Sequence, residues 1–227
     1  MPSSAIPAQV PALALRDRLL DAMLDVAPAS GWNTAAIAEA AKRAGLSAGQ
    51  VEIAAPRGAI ELIEAFADRF DKAMVSELAG HDLKAMKVRE RVNLAVRTRI
   101  EVLAPHKEAA RRSLARVALE RNPILAGQLA WRTADAIWRA LDDQSTDGNF
   151  YSKRALLAGV YAGTLAIWLT DLQSRRAWDF LAARIENVMQ FEKFKATRLA
   201  PLGFFGIAAV GEMAKWRYRE EPAKPAA

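Results

Sequence analysis

Two histidines and no cysteine bound the chemistry open to this 227-residue chain. His81 stands beside Asp82 and His106 beside Lys107, and both read as solvated positions in loops between helices. A di-iron carboxylate centre needs paired Glu-x-x-His motifs on facing helices, and no such pair is present. There is no Gly-rich phosphate loop, no G-x-S-x-G elbow and no H-E-x-x-H zinc motif. The lack of cysteine excludes disulfides, thiol catalysis and Cys-ligated zinc or iron–sulfur sites. The expectation is therefore a protein that is not an enzyme and holds no metal or cofactor. What remains is binding chemistry. Phe150 and Tyr151 follow an exposed polar stretch, Asp142–Asn149, at a helix start. Large aromatics there either await a partner that covers them or tuck under the loop as a hydrophobic staple. Trp131 and Trp138 lie seven apart on one stripe, and Tyr161 and Trp168 repeat that spacing further on. Gly159 and Gly163 form a G-x-x-x-G that lets two helix backbones approach, as at an isologous dimer seam.

The elements that must carry these residues are helices. No segment sustains two-residue alternation, whereas a period near 3.6 runs almost throughout. Leu15, Leu19, Met23 and Ala27 line a first helix, which ends at Pro28-Ala29-Ser30-Gly31. A second runs from an Asn33 or Thr34 cap to Ala44, with Gly45 in the C′ position. Ser47-Ala-Gly-Gln50 has the capping-box pattern and opens a short third, stopped by Pro56. Longer helices follow over Ala59–Leu78, with Ile63, Phe66, Phe70 and Met74 at core spacing, and over Val88–Leu103, with Val88, Val92, Val96 and Leu103. Further ones span Lys107–Arg121, Ile124–Leu141, Tyr151–Leu172 and Ala177–Phe191, and a tenth spans Pro201 to about Arg217. The prediction is an all-α bundle of about ten helices. It divides into an N-terminal helix-turn-helix region (1–58), a longer helical domain (59–195), and an amphipathic C-terminal helix with a tail (196–227).

A helix, a tight turn and a short helix followed by Pro56-Arg57-Gly58 make a helix-turn-helix layout. Together with Gly31-Trp32, Ile37-Ala38, Ala41, Ala44-Gly45-Leu46-Ser47 and Gly49, it resembles the N-terminal domain of TetR-family regulators. Such domains set the third helix in the major groove while basic side chains hold phosphates. Here residues 46–56 contain no Lys or Arg and one Glu, and Glu52-Ile53-Ala54-Ala55 stands where such regulators carry an aromatic and His stretch. Residues 1–56 hold four Lys/Arg against five Asp/Glu, so the net charge of +6 lies elsewhere. Since duplex affinity draws on neutralised phosphates, this face argues against nucleic acid as a partner. A TetR-type repressor with an unusual operator contact remains the alternative.

The segment Asp147-Gly-Asn-Phe-Tyr-Ser-Lys-Arg-Ala-Leu-Leu-Ala-Gly-Val-Tyr161 continues through Thr164, Trp168, Asp171 and Trp178-Asp-Phe-Leu-Ala-Ala-Arg-Ile185. It resembles the signature of the ninth-numbered coenzyme Q biosynthesis protein family. Pro56-Arg57-Gly58 and Glu61-Leu62 extend that likeness over most of residues 15–191. The resemblance implies a TetR-like fold without DNA binding and an apolar pocket for an isoprenoid lipid or quinone precursor. It also implies a homodimer through the penultimate helix pair and delivery of the lipid to a quinone-ring hydroxylase. On this reading Asp147, Phe150, Tyr151 and Arg154 match the family's patch for the hydroxylase, with Phe150-Tyr151 in place of its usual Trp-Tyr. Trp131, Trp138, Tyr161, Leu165 and Trp168 are the lipid-contacting candidates. Leu165 stands where family members often have Glu.

The last expectation concerns a membrane surface. No uncharged run reaches the ~20 residues of a spanning helix, Ala155–Thr170 and Leu199–Gly211 included. Leu202, Phe204 and Phe205 broaden the apolar face of the final helix, and Trp216 sits between Lys215 and Arg217 as at a headgroup boundary. Residues 153–227 hold twelve Lys/Arg against seven Asp/Glu, which favours anionic lipid. The competing reading is a final helix packed on its own domain. With no signal peptide in view, the expected location is the bacterial cytoplasm, peripherally on the inner membrane.

Overall fold

The computed structural model describes residues 11–119, 123–143 and 148–194. Among them lie nine α-helices and no strand: α1 Pro11–Ser30, α2 Thr34–Ala44, α3 Ala48–Ala54, α4 Ala59–Leu78, α5 Val88–Glu101, α6 Lys107–Leu119, α7 Pro123–Ala140, α8 Gly148–Thr170 and α9 Arg175–Phe194. Short 3-10 turns, Leu83–Ala85 and Ala104–His106, precede α5 and α6. The expected tenth helix, with Leu202, Phe204, Phe205 and Trp216, lies outside the described residues.

The caps follow from side-chain chemistry. Asn33 accepts from the Ala36 N–H at 2.9 Å and opens α2. Gly45 closes it at φ +63°, a left-handed turn that only glycine enters without strain. Ser47 and Gln50 form the reciprocal capping box of α3. Several boundaries differ from the expectation: α8 opens at Gly148 and takes in Gly148 and Asn149 from the expected polar loop, α5 ends at Glu101, and Pro28 lies inside α1, which continues to Ser30 and ends at Gly31 with φ +74°. The proline removes one N–H in the last turn but does not stop the helix, because the turn that follows tolerates the loss.

Alpha-helical stripes build one core. Leu19, Met23 and Ala27 of α1 are buried with Ile63, Phe66, Phe70 and Met74 of α4. Trp32, 2% exposed, reaches from the helix-turn-helix region and donates through Nε1 to the Ala109 carbonyl of α6 at 2.9 Å. Its ring packs on Phe66, so the N-terminal region is locked to the body rather than hinged from it. In α5, Val92 and Val96 are buried, but Val88 is 46% exposed, because it stands in the first turn at the end of the bundle. In α8 the buried positions are Arg154, Leu157, Tyr161, Thr164 and Trp168, at spacings of three and four. That helix packs on α7 and on α9, and its buried stripe carries the candidate aromatics Tyr161 and Trp168.

Candidate functional site

At the start of α8 an aromatic platform rests on a buried cation. Arg154 falls one turn beyond Phe150 and Tyr151, and its side chain is 2% exposed. A guanidinium so buried must be paired. Its Nε donates to Asp135 Oδ1 on α7 at 2.6 Å, and its Nη1 donates to Asp143 Oδ2 and to the Phe150 carbonyl, each at 3.2 Å. The same guanidinium stacks 3.4 Å from the centre of the Phe150 ring. Phe150 stands edge-on to Tyr151 at 5.1 Å, and Tyr151 stacks on Trp131 of α7 at 6.3 Å. Tyr151 is 42% exposed, whereas Phe150 is half-buried. Phe150 thus has the staple's support underneath it, and Tyr151 has the exposure of a contact residue. Arg154 lies beneath the surface, so it can act on a partner only by holding the aromatics. Asp147 lies outside the described residues.

The five residues expected around a lipid separate into four places. Tyr161 and Leu165 line a cavity of about 130 Å³ at the centre of the bundle, walled also by Ile63, Phe66, Leu129 and Thr133. Trp138 lines a second cavity, about 230 Å³, with Leu156, Leu157, Val160 and Ile185, between α5, α7, α8 and α9. Trp131 belongs to the platform. Trp168 lies at the far end of α8 beneath Lys107, whose ammonium is 4.6 Å from the ring and donates to the Asp171 carbonyl at 2.6 Å. Both cavities fall below the 300–1,000 Å³ of ordinary ligand sites, so neither has room for a whole long-chain molecule. A larger depression, about 910 Å³, runs between α1, α4 and α7, but its walls are charged. There Arg69 pairs with Asp17 and Asp21, and Arg57 pairs with Glu61 and Glu64. That surface is self-neutralised and unsuited to an apolar tail.

The central cavity also holds a polar group that the sequence reading passed over. Arg99 of α5 donates through Nε to Asp71 Oδ1 of α4 at 2.6 Å, and the Thr133 hydroxyl donates to the same oxygen at 2.9 Å. Burial pushes the Asp71 carboxyl above its ordinary range despite the opposing pull of Arg99. Burial likewise raises the Tyr161 phenol, which lies 5.8 Å from Arg99. The signal was present in the spacing: Arg99 falls between Val96 and Leu103 on the core stripe of α5, and Asp71 falls between Ala67 and Met74 on that of α4. A charge at a core position demands a partner at another.

His106 is not the solvated loop residue expected. It is half-buried in the turn before α6 against the Phe70 ring, 5.5 Å away, and burial, then the charge of Arg69, depresses its pKa while Asp25 pulls the other way. His81 is exposed. The G-x-x-x-G also divides. A methyl group on Gly163 would meet the Phe180 ring of α9 at 3.0 Å, so that glycine serves packing within the chain, while Gly159 is exposed with open space above it.

On α3 the exposed residues are Ala48, Gly49, Glu52 and Ile53, a face with no cation. Several basic residues of the neighbouring segments are paired: Arg16 with Glu61 and the Ala54 carbonyl, Arg18 with the Ala44 carbonyl, Arg43 with Glu39, and Arg57 with Glu61 and Glu64. No described helix is long and apolar enough to cross a membrane.

Comparison with known proteins places this geometry. Residues 125–192, which span the platform and most of both cavities' α7–α9 walls, match the COQ9 family. The human mitochondrial ubiquinone biosynthesis protein COQ9 is 31% identical over 184 residues, covering 77% of this chain and 58% of the human protein. The Drosophila melanogaster protein of that name is 27% identical, over 79% of this chain and 56% of its own length. The chain thus spans less than two thirds of these relatives. Among solved structures, a TetR transcriptional regulator from Nitrosomonas europaea superposes with a TM-score of 0.62 at 20% identity, covering 78% of this chain and 99% of the regulator. That likeness shows a TetR-like fold.

Proposed function

From the COQ9-family domain carried by residues 125–192, we propose that this chain serves ubiquinone biosynthesis as a non-enzymatic accessory protein. It binds an isoprenoid quinone precursor and presents it to a quinone-ring hydroxylase. The observation that carries the reading is the platform: Tyr151 is 42% exposed on an aromatic stack that a buried, doubly paired Arg154 holds rigid. Interface energy concentrates in such pre-ordered central aromatics. Two apolar cavities flank the same helix, α8, and supply room for parts of a lipid. The membrane surface supplies that lipid through residues 201–217, and a second copy covers the exposed Ala155, Gly159 and Ala166 of α8. Localisation at the inner face of a bacterial membrane follows from the same reading.

The repressor reading rests on fold likeness, and a fold does not carry its relatives' function. The cation-free face of α3 speaks against it. Deleting the gene in its host and measuring cellular quinone tests the proposal. Ubiquinone should fall and be restored by the wild-type gene but not by Tyr151→Ala. Unchanged quinone, or a protected operator in a low-salt gel shift, would overturn it.

A further inference from the structure

Against the central cavity lies a buried donor that the fold leaves unanswered. Arg99 is 2% exposed, its Nε is met by Asp71, and its Nη2 donates to the Ala67 carbonyl at 3.2 Å. Its Nη1 is buried and has no acceptor. Nearly every buried polar group in a native protein is satisfied, and a charged donor is the costliest to leave unmet. Arg99 is itself a wall of the cavity, beside Tyr161 and Thr133, and the remaining wall is largely apolar. The rim is apolar and open to solvent: Leu114 is 39% exposed, and Ala126 and Ala162 are exposed.

We propose that Arg99 reads the head of the bound lipid: its Nη1 donates to a neutral carbonyl oxygen on a single six-membered ring seated in this cavity, with the tail leaving over Leu114, Ala126 and Ala162. The inference rests on the lipid-binding reading above and adds to it the residue that selects the head group. Size supports one ring. An engineered apolar cavity of ~150 Å³ takes up benzene, and this one measures about 130 Å³. Charge selects a neutral oxygen. Asp71 already balances Arg99, so an anionic head would place an unpaired charge in a buried space, whereas a ring carbonyl satisfies Nη1 and adds none.

The test uses the full chain and two probes of the same shape, decyl-1,4-benzoquinone and decylbenzene, measured by equilibrium dialysis. The wild type should bind the quinone about tenfold or more tightly than the hydrocarbon. The double variant Asp71→Leu/Arg99→Met replaces the ion pair by apolar volume, a change that buried pairs often tolerate. It should hold decylbenzene within about twofold of the wild type and lose the preference for the quinone. Should it fail to fold, Arg99→Lys keeps the charge beside Asp71 but lacks the fork, and it should lose the preference as well. A preference that survives in either variant would overturn the assignment to Arg99. Equal binding of the two probes by the wild type would remove this anchor while leaving lipid binding intact. A wild type that binds neither would remove the lipid-binding reading and the anchor with it. Monoacylglycerol bound more tightly than the quinone, and through Arg99, would overturn the ring as the recognised head.

Discussion

Replacing Arg154 with alanine should unsettle both the fold and the platform, and the size of the effect can be worked from the contacts. The side chain ties α7 to α8 through Asp135, Asp143 and the Phe150 carbonyl, and it underlies the Phe150 ring. Breaking a buried ion pair by removing one partner costs about 3–5 kcal/mol. Here Lys153 still reaches Asp143 and Arg139 still reaches Asp135, each at 2.8 Å, so the lower end applies. Loss of the cation–ring contact adds ~0.5–1 kcal/mol. The sum, roughly 3–4 kcal/mol, corresponds to a fall of roughly 6–16 °C in Tm at this chain length. Thermal unfolding followed by far-UV circular dichroism measures it. Near-UV signals from the Trp131–Tyr151 stack should weaken below the transition, because the helix start is no longer pinned. Arg154→Lys should fall between, since one ammonium cannot serve three acceptors. A Tm within about 3 °C of the wild type for Arg154→Ala would refute the reasoning.

Three further outcomes follow from neighbouring geometry. Tyr151→Ala should change folding stability by less than about 1 kcal/mol while weakening the hydroxylase complex by ~2 kcal/mol or more, as read by titration calorimetry and urea melts; equal affinity would remove Tyr151 from the interface. His106 has its pKa depressed in the fold, so its neutral form is favoured there and stability is lost as pH falls below 6.5 through the folded value. His106→Gln should flatten that decline in urea melts between pH 7.5 and 5.5, and an unchanged slope would deny His106 the effect. Gly163→Ala should destabilise by ~1–3 kcal/mol through the clash with Phe180, while the bulkier Gly159→Leu should lower the mass in sedimentation by holding the second copy away. An unchanged mass would remove Gly159 from the dimer seam.

Much of the fold was legible because its signals are local. Asn33, Gly45 and the Ser47–Gln50 box each act within a turn of themselves, and the apolar spacing of α4 named its buried face before any contact was known. Pro28 misled, since a proline in the last turn costs one hydrogen bond and not the helix. The site was legible in part. Phe150, Tyr151 and Arg154 were named from the segment they share, but their division of labour, one exposed, one wedged and one buried, depends on Asp135 and Asp143 from α7. The lipid candidates come from the family resemblance, which does not say which wall a side chain faces. Trp131 and Trp138 share a helix stripe and still part, one to the platform and one to a cavity. Arg99 and Asp71 are invisible to apolar periodicity, which carries no signal for a charge on a core stripe or for the partner that charge requires. His106 was taken for solvated because its partner, Phe70, is 36 positions away in the chain.

The central claim is that this protein carries a lipid with an apolar tail and an oxygen-bearing ring. Purification from its own host under non-denaturing conditions, followed by solvent extraction and mass spectrometry, tests it most directly. The account predicts one dominant extracted species per protein, an isoprenoid with a single aromatic or quinonoid ring, depleted in Asp71→Leu/Arg99→Met. Extraction of no lipid in stoichiometric amount, or of the same ringless lipid from wild type and variant alike, would contradict it.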